Sequence, residues 1–102
     1  MELLPETIRS RLPSLFSQEA VDEPIVYARY FLPGTILAWF VLEGKQLDDD
    51  YLFFGFVAGL TDEFRLFRLS ELKSRGHEGQ TVERDMTFVE GKLTDVVPAP
   101  DH

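Results

Sequence analysis

The chain has 102 residues, 44% of them hydrophobic, with nine phenylalanines, no cysteine and a formal net charge of −8. That length suits one domain that buries its own core. The absence of cysteine excludes disulfide staples, thiolate zinc sites and a cysteine nucleophile, and eighteen acidic against ten basic side chains oppose binding to a phosphate backbone.

The N-terminus Met1-Glu2-Leu3-Leu4-Pro5-Glu6 has no basic stretch leading into an apolar run, and no segment approaches the roughly 18 apolar residues of a membrane span. The expectation is a cytoplasmic protein without membrane contact. Pro5 to Leu12 reads as a short amphipathic helix, with Leu4, Ile8 and Leu12 on one side and Pro13 as its stop. Leu15 and Phe16 then anchor a polar loop over Ser17–Glu23. Pro24 opens a strand over Ile25–Leu32, Pro33-Gly34 turns it, and a second strand follows over Ile36–Leu42. Glu43–Asp50 is expected to be the next turn.

Tyr51–Leu60 organises the rest. It carries four aromatics, two glycines and no charge. At a period of two, Leu52, Phe54, Phe56, Ala58 and Leu60 form a continuous apolar face, while Tyr51, Phe53, Gly55, Val57 and Gly59 taper from large to nothing. This predicts a central strand buried on both sides, whose glycines let another backbone come close.

Thr61–Glu63 reads as a turn and Phe64–Leu69 as an edge strand with two arginines. Ser70 is the expected N-cap of a helix over Glu71–Arg75 that Gly76 ends. Val82–Val89 is a further strand with Met86 and Phe88 on one face, and residues from Thr94 read as a frayed tail. The expected fold is α+β: a mostly antiparallel sheet of four or five strands with a meander core, a short N-terminal helix and one further short helix. It forms one domain over residues 1–93, with a flexible tail over 94–102.

Leu3-Leu4-Pro5, Leu12-Pro13, Phe31-Leu32-Pro33, Leu37-Ala38-Trp39-Phe40 with Glu43-Gly44, Phe53-Phe54-Gly55, Leu69-Ser70-Glu71-Leu72 and Glu83-Arg84-Asp85 fall in the order found in a family of small bacterial proteins catalogued only as a domain of unknown function. The chain resembles that family over nearly its whole length. It departs at Ala38, where the family often has threonine, and near Phe64, where a glycine is common. The resemblance implies a cytoplasmic accessory protein of mobile DNA, carried on plasmids, conjugative elements and phages, and brings no activity or site residue with it.

Glu83-Arg84-Asp85 is the sharpest polar cluster. On a strand Glu83 and Asp85 share one face and Arg84 takes the other. The two carboxylates suit acid–base work, whereas Arg84 suits a structural fork against Glu43 or Glu71. Asp48-Asp49-Asp50 beside Glu43 offers oxygen ligands but lacks the spacing of a calcium loop, and the isolated His77 and His102 give zinc nothing to build on. No metal and no cofactor is expected. Arg65, Arg68, Lys73, Arg75 and His77 read as a solvated mixed-charge helix rather than a nucleic-acid patch. Trp39 and Tyr30 read either as core or as an exposed interaction surface that stacks on a ligand.

Three functions follow. The leading one is a non-enzymatic interaction module that meets another protein, or a second copy of itself, through surplus apolar surface. A small enzyme would instead bring Glu43, Glu71, Glu83 or Asp85 together in a pocket with Arg84 as an electrostatic clamp. An acidic DNA mimic acting against restriction or another defence would array carboxylates at the spacing of duplex phosphates.

Overall fold

The computed structural model describes residues 2–59 and 62–97. In chain order the elements are α1 (Glu6–Arg9), β1 (Ile25–Val26), β2 (Ala28–Phe31), β3 (Ala38–Leu47), β4 (Asp50–Ala58), β5 (Glu63–Arg68), α2 (Leu69–Ser74), β6 (Gly76–His77), β7 (Gln80–Thr81), β8 (Glu83–Arg84), β9 (Gly91–Lys92) and α3 (Leu93–Val96). Five strands form an antiparallel sheet in the order β5-β4-β3-β2-β8, and β1 with β9 and β6 with β7 form small separate ladders. Among the described residues no helix is long and apolar enough to cross a membrane. The expected meander is present as β2 to β5, in an α+β fold with one more short helix than the sequence suggested.

The long hairpin of β3 and β4 is the frame. It pairs from Ala38 opposite Ala58 to Leu47 opposite Asp50, with one bulge between Val41 and Glu43. The turn expected over Glu43–Asp50 is therefore mostly strand. Gly44 signals a turn in the sequence, but it pairs with Phe53 inside the ladder, where its missing Cβ makes room for the Tyr51 ring. The true turn lies at Asp48 and Asp49, with Asp48 left-handed at φ 55°. The Gln46 amide closes it by donating to the carbonyls of Asp48 at 2.8 Å and Asp50 at 2.9 Å.

The two faces of this sheet are covered unequally. Along β4, Tyr51, Phe53, Gly55 and Val57 are buried while Leu52, Phe54, Phe56 and Ala58 are only half-buried. The tapering face, not the continuous apolar one, is thus the inner face. It gathers Tyr30, Trp39, Phe53, Phe67, Leu72 and Val82 into the main core, against which Leu4, Ile8 and Leu12 of the N-terminal segment pack. Its glycine has a steric reason: a Cβ on Gly55 would collide with the Phe40 carbonyl oxygen and crowd Val41, next to the bulge.

On the outer face Val26, Ala38, Phe40 and Leu42 are fully buried, with Phe88, Leu93, Val96 and Val97 packed against them. Of the frayed tail expected from Thr94, the part up to Val96 belongs to a helix, and Val97 caps it, held there by these apolar contacts. The Leu93 amide ties its start by donating to the Pro24 carbonyl at 2.8 Å. The remainder of the expected tail, 98–102, lies outside the described residues, as do Leu60 and Thr61.

Two further expectations are corrected. Ser70 is not the N-cap of α2; it lies inside a helix that starts at Leu69. Asp50 supplies an oxygen from the neighbouring hairpin instead, accepting from the Ser70 amide at 3.1 Å and the Ser70 hydroxyl at 2.6 Å. The strand expected over Val82–Val89 shrinks to β8, because the Asp85 carboxylate accepts from the Thr87 amide at 3.0 Å and bends the chain out of the ladder. Met86 is left exposed, so it does not share a buried face with Phe88.

A half-covered aromatic face as candidate functional site

The polar candidates of the sequence do not come together. Glu43 is 1% exposed on the outer side of β3, Glu71 lies on α2 and accepts from Arg65 at 3.3 Å, and Glu83, Arg84 and Asp85 lie at the opposite edge of the sheet. Arg84 stands opposite Tyr30 in the β2–β8 ladder, whereas Glu43 lies on the outer face of β3. The Glu71 carboxylate pairs with Arg65. Among the described residues no group of His, Cys, Asp and Glu side chains is arranged to hold a metal ion. Asp50 is occupied by the start of α2 and Glu43 is far up the strand from Asp48 and Asp49, so these residues do not share the expected turn.

Trp39 and Tyr30 are in the core, 2% and 0% exposed. They form no surface. The Tyr30 hydroxyl donates to the Leu3 carbonyl at 2.6 Å, and burial pushes its pKa upward.

Asp85 has a defined local role. Its carboxylate accepts from the Thr87 hydroxyl at 2.8 Å and from Arg29 at 3.3 Å, while the Arg29 guanidinium lies 5.3 Å from the Phe31 ring centre and 5.7 Å from that of Phe40. Partial burial pushes the Asp85 carboxyl up, but the Thr87 hydroxyl and amide and the Arg29 charge together outweigh it and hold the group below its ordinary value. Asp50 is lowered by the Ser70 hydroxyl and the Tyr51 amide, and Glu90 by Arg11, which donates to it at 2.6 Å. All three act as structural anions.

What the structure leaves open is apolar. On the β4–β5 half of the outer face, Phe54 stands opposite Leu66 and Phe56 opposite Phe64. The Phe64 ring stacks at 6.1 Å on Phe54 and meets Phe56 edge-on at 5.1 Å. Phe64 is 48% and Leu66 42% exposed. Beside them runs a groove of about 420 Å³ lined by Phe16, Val21, Pro24, Leu42, Phe54 and Phe64.

Its far wall is held by the buried carboxylate. Glu43 accepts from the amide of Phe16, and from that of Gln18 at 2.8 Å. Phe16 is left-handed, with φ 63°, a conformation that costs a bulky residue about 1–2 kcal/mol and that charge-assisted hydrogen bonds offset. The Phe16 ring is thereby turned onto Phe54, edge-on at 5.6 Å. Gln18 locks the other side of the loop: its amide donates to the carbonyls of Ile25 at 3.1 Å and Leu42 at 2.9 Å and accepts from the Ile25 amide at 2.7 Å.

Sequence reasoning named neither Phe64, Leu66 nor Phe16 as site residues. The signal was present in Phe64-Arg65-Leu66 on a predicted edge strand, since alternation there places two large apolar side chains on the more open face. No family model, no curated protein and no solved structure matches the chain.

Proposed function

We propose that this chain is a non-enzymatic protein-interaction module that receives its partner on the aromatic face of β4 and β5. The observation that carries the reading is the continuous exposed surface made by Phe16, Val21, Phe64 and Leu66, which nothing else among the described residues covers. Apolar area removed from water contributes about 25 cal/mol per Å², and clustered aromatic anchors in a groove dominate interface energetics. The rigid sheet and the tied Phe16 loop limit the ordering cost of binding. The scattered carboxylates lend no support to the enzyme reading, which needs a convergent pocket.

The family resemblance supports a cytoplasmic accessory role for mobile bacterial DNA, with another protein as partner. The test is capture from bacterial lysate by the purified chain and by a variant carrying Phe64→Ser and Leu66→Ser, with circular dichroism to verify that both are folded. Specific partners lost in the variant support the reading. A partner retained equally by both chains contradicts it.

A further inference from the structure

Resting on that reading of the β4–β5 face, we infer that the groove receives the trimethylammonium end of a methylated lysine side chain carried by the partner protein. The rings of Phe16, Phe54 and Phe64 line it. Phe54 and Phe64 lie within 14° of parallel and Phe16 stands at 61° to Phe54, so the rings make two walls of a corner. The face of an aromatic ring is negative and attracts a cation within about 6 Å of its centre. The outer side of the sheet already does this once, where the Arg29 guanidinium lies over Phe31 and Phe40.

The charge of the groove has one sign. Among the described residues Glu19 and Glu43 are the only charged side chains that line it, and neither forms an ion pair. Glu43 stands opposite Phe54 in the β3–β4 ladder and is 1% exposed. It is an anion held by two amides and by no cation, and little water is there to screen it from an incoming positive charge. The arginines of β5 lie elsewhere: Arg65 is on the inner face beside Glu71, and Arg68 stands opposite Leu52, beyond Leu66 from the groove.

The groove supplies charge and ring faces but hardly any free acceptor. The Glu43 oxygens are taken by the Phe16 and Gln18 amides, the Gln18 side-chain oxygen by the Ile25 amide, and the Leu42 carbonyl by the Gln18 side chain. Glu19 keeps its oxygens at the exposed rim. A bare ammonium entering the groove would lose water from its N–H donors with no acceptor in return. Trimethylation removes those donors, keeps the charge and adds apolar surface. The source follows from exposure: Phe16, Val21 and Phe64 each stay about half exposed, so the groove would cover a free small cation on one side, whereas small-molecule sites enclose most of their ligand. A side chain arrives with a backbone that also covers Leu66.

The test titrates the full chain, followed by amide NMR, with short capped alanine peptides. Their central residue is trimethyllysine, unmodified lysine, or the neutral isostere in which a tert-butyl group replaces trimethylammonium; choline is titrated in parallel. The inference expects the trimethyllysine peptide to shift the amides of Phe16, Gln18, Phe54 and Phe64, and the other three probes to bind about tenfold more weakly or less. Phe64→Leu, conservative and at an exposed position, should narrow the preference for trimethyllysine over its isostere by about threefold or more. Equal binding of the isostere, or an unchanged preference in Phe64→Leu, overturns recognition of a cation by the rings while leaving the groove as an apolar docking surface. Equal binding of unmodified lysine overturns the methylation, and equal binding of choline overturns the partner side chain as the source. Shifts confined to other parts of the chain, or no binding by any probe, overturn the inference as a whole. The docking-face reading itself is decided separately by the paired lysate capture.

Discussion

Glu43 and Phe16 are joined by a hydrogen bond from the Phe16 amide to a carboxylate that has almost no contact with water. One acidic residue at the bulge of β3 thereby sets the backbone of a loop 27 residues away, and the loop sets one wall of the aromatic groove. Structure and proposed function meet at that contact.

Replacing Glu43 with alanine strips the partly buried amides of Phe16 and Gln18 of their acceptor and frees the strained Phe16 loop. We expect a loss of about 2–4 kcal/mol in urea unfolding, together with weaker partner capture. Glu43→Gln keeps one acceptor oxygen but turns an NH2 group toward the other amide, and should fall between the two. A change in stability below about 0.5 kcal/mol for the alanine variant would show that the carboxylate does not hold the loop.

Gly55 and Gly79 are predicted to fail differently. A Cβ on Gly55 meets the Phe40 carbonyl, and Gly55→Ala should cost about 1–3 kcal/mol or more, because the backbone behind it cannot yield. Gly79 has open space around it but φ +81°, so Gly79→Ala should cost only the left-handed penalty of about 1–2 kcal/mol. Comparison of the two melting curves checks the ranking.

Acid should destabilise the fold through Asp85, Asp50 and Glu90. Each is held below its ordinary value of 3.8, 3.8 or 4.5. A depressed folded pKa means that the stabilisation is complete above the unfolded value and is lost as the pH falls through the folded one. Stability should therefore be flat from neutrality down to the ordinary carboxyl range and fall below it, and Asp85→Asn should make that fall shallower.

Tyr30 gives the opposite sign. Burial raises its pKa above 10.0, so its contribution is complete below the unfolded value and is lost as alkaline pH climbs toward the folded one. Tyr30→Phe removes the hydrogen bond to the Leu3 carbonyl and should cost about 1 kcal/mol at neutral pH. Phenolate absorbance during base titration should show a late, cooperative step in the parent chain that is absent from the variant.

The sheet was legible in the sequence because its strands are separated by strong turn chemistry at Pro33-Gly34 and by period-two apolar runs. Three features escaped that reasoning. Gly44 and Glu43 look like turn residues locally, and only the Tyr51 ring and the Phe16 loop, distant in sequence, explain their place in a strand. Leu93 and Val96 are too few to signal a helix by periodicity, and their helix forms where they pack, with Val97, on the outer-face cluster that includes Phe40 and Leu42. The relative burial of the two faces of β4 depends on which segments cover them, which no alternation pattern carries. For the site, the sequence offered charged clusters and the buried pair Trp39 and Tyr30, while the exposed rings on β5 became visible only once the edge of the sheet was known.

The central claim is that the β4–β5 aromatic face is where a partner sits. Amide hydrogen exchange of the chain, alone and in complex with a partner recovered by the paired capture, tests it most directly. Our account predicts that added protection concentrates in residues 63–68 and in the Phe16–Val21 loop. Protection confined to α1, to the β6–β7 turn or to β8, with β5 exchanging as in the free chain, would contradict it.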